Sequence, residues 1–210
     1  MLLPYIAIYA TLLPLLIGIV NFDRLTYVFK LLMFYLLLSF VSDQICLTYF
    51  VRHVNNMVII NSFILVEKII LLVLLFYWPN AKQKPKRLLL ILSTLIIFWL
   101  YAAIWCRTDK GVLCIYAQMP LFSTITSSVI AIYAAYKLFV IVEEATEISK
   151  NAVFWAVTSI FVYSSITLIV VSTVYLMPKQ AWLFYNISHI IFCLLLTKTF
   201  LVARNISKIR

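Results

Sequence analysis

Apolar residues run along this chain in long blocks separated by short polar interruptions. The blocks show neither the strict alternation of a half-buried strand nor the one-sided stripe of a helix lying on a soluble core. Seven blocks read as helices, at about 2–20, 27–51, 56–78, 88–106, 116–142, 152–177 and 181–203. Each is long enough to cross the hydrocarbon layer, where only helices and closed barrels satisfy every backbone N–H and C=O. Unbroken runs such as Leu88–Leu92 exclude the alternating pattern of a barrel strand. The predicted fold class is therefore all-α: a polytopic membrane protein, a seven-transmembrane-helix bundle. The connections are short, so residues 1–210 form a single seven-helix transmembrane domain. Glycine is confined to Gly18 and Gly111, and only Pro14 lies well inside a span, which predicts continuous helices. With no GxxxG pair, packing is expected to use Ala, Ser and Thr ridges such as "AIYAAY" and "STITSS".

Composition strengthens this picture, and charge gives it a direction. Hydrophobic residues make up 65% of the chain and charged residues 11%, too few to clothe a soluble core. Of the basic residues in the connections and near the span ends, ten fall at 21–30, 82–87, Lys150 and the C-terminal tail, against four on the other side, Arg52, Arg107, Lys110 and Lys179. The positive-inside rule then places the N-terminus outside and the C-terminus in the cytoplasm. The net charge of +10 reads as a topology signal with affinity for anionic lipid headgroups, and not as a nucleic-acid footprint. The first span lacks a basic leader and a small-residue cleavage site, so it is expected to remain as helix one. The polar run "EEATEISK" is expected to continue the fifth span as a solvated helical extension, with Glu143 and Glu147 one turn apart.

Four cysteines add little chemistry. Cys46 and Cys193 fall inside spans and read as small core residues. Cys106 and Cys114 border the extracytoplasmic loop "RTDKGVL", where an oxidising medium permits a disulfide between them. No HxxxH or HExxH pattern occurs, and neither a metal nor a cofactor is expected.

The informative exceptions are polar residues inside the apolar blocks. At 1.5 Å per residue, Asp43 lies roughly 12 Å below the outer surface, Asn61 about 7 Å, Glu67 about 16 Å, Asn186 about 7 Å and His189 about 12 Å. A charge at such depth costs on the order of 3 kcal/mol, so these groups should face the bundle and one another. The helical period puts Ser39, Asp43 and Cys46 on one stripe, and Tyr185, His189 and Phe192 on another. Thr124, Ser127, Ser128, Tyr163, Ser164 and Thr167 are positioned to extend the polar lining. Lys68 is adjacent to Glu67 and able to neutralise it, yet successive residues point about 100 degrees apart, which leaves a partner on another helix open as well.

Asp43, Asn61, Glu67, Asn186 and His189 are thus the candidate ligand-binding residues, lining a polar pocket that opens outward. Such a pocket suits a ligand-binding or sensory membrane protein for a small molecule or lipid. Two other classes use the same residues: an intramembrane hydrolase of a lipid-like substrate, and a structural accessory subunit with a membrane-protein partner. In the last, an Asp or His acts only as a clip between helices. A proton-coupled carrier is disfavoured by the lack of internal repeats and broken helices, and no catalytic residue is assigned.

The stretches "LLLSFVSDQICL", "NNMVIINSFILVEKIILLVLLFYW", "FVYSSITLIVVS" and "WLFYNISHIIFCLLLTKTFLV" together resemble small seven-helix inner-membrane proteins widespread in Bacteroidetes. The matching polar positions are Asp43, Asn56, Glu67, Asn186 and His189. The resemblance implies a bacterial inner (plasma) membrane location and supplies no activity, so function still rests on the site.

Overall fold

The computed structural model describes residues 2–52, 57–78, 85–108, 112–173 and 176–206, with some side chains near helix ends, including 102–108 and 112–120, outside that description. The described residues are almost entirely helical, and no strand occurs among them. The helices are α1 (Leu2–Ala10), α2 (Leu12–Val20), α3 (Tyr27–Val51), α4 (Met57–Tyr77), α5 (Pro85–Thr108), α6 (Val112–Glu144), α7 (Ala152–Thr173) and α8 (Pro178–Ile206), with single 3-10 turns at Phe22–Arg24 and Ile148–Lys150. Among the described residues, six stretches are long and apolar enough to cross a membrane: Leu2–Val20, Tyr27–Tyr49, Ile59–Tyr77, Leu121–Glu144, Ala152–Thr173 and Gln180–Arg204. The architecture is that of a multi-pass membrane protein. Large apolar side chains cover its outside, Leu89, Leu90, Ile132, Phe139 and Trp182 among them, a surface suited to acyl chains and costly in water.

α7 packs most extensively against α8 and α6. α4 lies on α3 and α6, α5 on α6, and both α1 and α2 lie on α8. Leu71, Leu74, Phe122, Ile130, Ile160, Leu196 and Phe200 are fully buried between these helices. Because lipid tails are as apolar as leucine, such packing stabilises the bundle through van der Waals contact. Close approach requires small residues: Gly18 on α2 lies so near α3 that a Cβ there would sit 2.8 Å from Cγ and Sδ of Met33.

The first span, Leu2–Val20, runs as one stretch in which Thr11 alone separates α1 from α2 and keeps helical dihedrals, φ −62° and ψ −26°. Pro14 has no N–H to give the carbonyl of Ala10, and the ladder adjusts around it: Thr11 N bonds the Ile8 carbonyl at 3.3 Å, and Leu15 N reaches the Thr11 carbonyl at 3.4 Å. One expectation is corrected, that for "EEATEISK". α6 ends at Glu144, and Glu147 lies beyond it, pairing with Lys150 at 2.6 Å across the 3-10 turn. Asn151 fixes the start of the next helix. Its Oδ1 accepts from the N–H groups of Val153 at 2.9 Å and Phe154 at 3.2 Å, capping α7 and fixing where the next helix starts.

Candidate functional site

Near the middle of α4, Glu67 and Lys68 are both buried, at 5% and 1% exposure. In a spanning helix that burial requires mutual neutralisation, and the two side chains provide it directly: Lys68 Nζ donates to Glu67 Oε1 at 2.7 Å. Of the two partners open to Lys68, its neighbour Glu67 is the one it meets. The four-carbon lysine stem is long enough to bend back across the 100 degrees that separate neighbouring positions. The second carboxylate oxygen is also engaged, because the Tyr163 hydroxyl on α7 donates to Glu67 Oε2 at 3.2 Å. Lys68 Nζ stands 6.0 Å from the centroid of the same tyrosine ring.

Aromatic rings link this ion pair to α3 and α8. Tyr163 packs on Phe192 with centroids 4.7 Å apart, and Phe192 meets Tyr35 edge-on at 6.1 Å. His189, one turn from Phe192, lies 6.4 Å from it, ring to ring. The hydroxyl of Tyr185 approaches that of Tyr163. Asp43 on α3 is partly exposed and lies within electrostatic reach of Glu67 and Tyr185. Among the described residues, none hydrogen-bonds or ion-pairs with its carboxylate.

The five residues singled out from the sequence thus divide. Glu67, Asp43 and His189 share one electrostatic neighbourhood. His189, however, is bound elsewhere: its Nε2 is 2.9 Å from Thr11 Oγ1, between α1 and α2. Thr11 Oγ1 also lies 3.7 Å from Cys193 Sγ, one turn further along α8. One of the two ring nitrogens is thus engaged by a threonine. Asn186 turns back on its own helix, with Nδ2 donating to the Trp182 carbonyl at 2.7 Å. Asn61 contributes its backbone carbonyl, which accepts from Trp99 Nε1 at 3.3 Å. The side chains of Cys106 and Cys114, and all of Asn56, lie outside the described residues.

The hydroxyl lining also divides. Ser128 and Thr126 donate to carbonyls of α6, at Thr124 and Phe122, and so stay within their own helix. Ser127, Ser164, Thr167 and Ser188 are buried with no hydrogen-bond partner among the described residues. Sequence reasoning missed Thr11 and Tyr35. Pro14 is the signal for the first, since a proline three residues downstream marks where a helix opens and a side chain can turn outward. Tyr35 carries no such signal in a span rich in aromatics.

Metal chemistry finds no support in the arrangement: among the described residues, no group of three or more His, Cys, Asp or Glu side chains is placed to hold an ion. No protein-family model, no curated protein and no solved structure matches the chain.

Proposed function

We propose that the chain is a ligand-binding or sensory membrane protein of the bacterial inner membrane, with Asp43 as the group that meets the ligand. One observation carries this reading. Glu67 has both oxygens engaged, whereas the Asp43 carboxylate nearby is partly exposed and unpartnered among the described residues. A carboxylate in a spanning helix costs several kcal/mol and marks a site by default. Lys68 offsets Glu67, which leaves Asp43 as the acidic side chain with no cation on it among the described residues, and Tyr185 lies within its electrostatic reach. The ligand class that fits is a small organic cation. In this reading seven helices cross the bilayer, the N-terminus is outside and the pocket opens outward.

The test uses Asp43→Cys in a chain whose own cysteines are replaced by serine. The expected result is modification of intact cells by a membrane-impermeant, positively charged thiosulfonate, slowed by tetramethylammonium or choline and unaffected by glycerol. A thiol that stays unmodified until the membrane is dissolved sinks the outward pocket.

The accessory-subunit reading rests on a different observation, the Thr11–His189 contact, which ties the first span to α8 as a clip does. It accounts for His189 and leaves Asp43 without a role.

A further inference from the structure

Asp43 lies in a spanning helix, and among the described residues the groups around it leave its carboxylate no cation to pair with. From α4 the charged neighbours are Glu67 and Lys68, and the Lys68 ammonium is committed to Glu67 Oε1 at 2.7 Å. From α8 come Tyr185 and Cys193, while His189 on the same helix has Nε2 on Thr11 Oγ1 at 2.9 Å. α3 itself adds Tyr35 and Cys46, both of types that are uncharged at neutral pH. α1 and α2 bring no charged side chain, and Tyr5 and Tyr9 of α1 are exposed. The buried cation of α6, Lys137, rests over the Tyr133 ring at 5.4 Å.

The hydroxyls decide which form of Asp43 the site accepts. Tyr163 has one hydroxyl proton and gives it to Glu67 Oε2 at 3.2 Å, a carboxylate oxygen that only accepts. The Tyr185 hydroxyl that approaches Tyr163 therefore donates toward it, and keeps only lone pairs for Asp43. A carboxylic acid bonds those lone pairs, and a carboxylate does not. Burial acts in the same direction, since an isolated carboxylate among spanning helices is costly until a positive species neutralises it.

We infer that Asp43 exchanges one proton for one organic cation, an exchange that rests on the outward cation site proposed above: the empty site carries the proton, and the arriving cation sends it to the outside. The Asp43 O–H bond breaks, the proton passes to outer water, and the ammonium takes its place beside the carboxylate. Both states are neutral, so neither leaves an uncompensated charge within the bundle. A site whose carboxylate is ionised at rest would bind the same cation and release nothing.

The experiment uses the full chain in neutral detergent at about pH 5.5, where an ordinary aspartate is ionised. Infrared difference spectra with tetramethylammonium chloride, against sodium chloride at equal ionic strength, are expected to show a carboxylic-acid C=O band lost on binding. Asp43→Asn should lack that band. Calorimetric titration in two buffers of different ionisation enthalpy should count about one proton released per cation bound, and the apparent affinity should rise about ten-fold per pH unit until release ceases. Binding with no proton released and no band lost overturns the exchange while the cation site stands. No binding at any pH from mildly acid to mildly alkaline overturns both. If Asp43→Asn does not fold, Tyr185→Phe decides: loss of the acceptor should move the C=O band to higher frequency, and an unmoved band overturns the exchange at Asp43.

Discussion

At the scale of single residues, the decisive feature is that a buried carboxylate is satisfied by its own sequence neighbour. The Lys68–Glu67 contact of 2.7 Å keeps both charges inside one helix, so α4 enters the bundle already neutral at that level. Tyr163 then docks on the remaining oxygen. Removing one partner leaves an uncompensated charge, whereas neutralising both leaves no buried charge at all. Lys68→Met is therefore expected to destabilise the protein by about 3–5 kcal/mol, and Glu67→Gln with Lys68→Met to recover most of that loss. Denaturation of the purified chain in detergent by increasing dodecyl sulfate checks both, and equal losses in the single and double variants would contradict the pairing. The cost of a charge in lipid made Asp43, Glu67 and His189 legible in the sequence. The partners of two of them were not legible, because partner choice depends on side-chain reach: Lys68 bends back, and Thr11 arrives from a helix far away in the chain.

At the scale of elements, the spans at 27–51 and 56–78 agree with α3 and α4 to within a residue. The spans at 88–106, 116–142, 152–177 and 181–203 each match a helix whose ends differ by a few residues. Hydrophobic blocks of this length determine helices almost without regard to neighbours, which is why the blocks were readable. The first span, 2–20, agrees with the stretch Leu2–Val20, with Thr11 as the one turn residue between α1 and α2. The Thr11 side chain meets α8, where His189 and Cys193 are one turn apart. The helix-to-helix clip is expected to be worth about 1 kcal/mol, measured as the coupling energy between Thr11→Val and His189→Phe in a double-mutant cycle. Additive effects of the two substitutions would show that the contact does not join the elements.

At the scale of the whole molecule, the number of crossings turns on α5. Six stretches among the described residues meet the length and apolarity of a span, and α5 (Pro85–Thr108) lies beside them on α6. Its 24 residues extend about 36 Å, more than the hydrocarbon thickness, and "LLLILSTLIIFWLYAAIW" carries no charge. A helix that packs on α6 and presents Leu89, Leu90, Ile97 and Leu100 outward has a surface made for acyl chains along its length. If it crosses, residues 79–84 and 109–111 lie on opposite sides, with the lysine-rich segment before α5 in the cytoplasm. Alkaline phosphatase inserted at 109–111 is then expected to be active, and inserted at 79–84 or fused after Arg210 to be inactive, with the reverse pattern for a fluorescent protein that matures only in the cytoplasm. Equal activity at 79–84 and 109–111 would leave six crossings and put the two ends of the chain on one side.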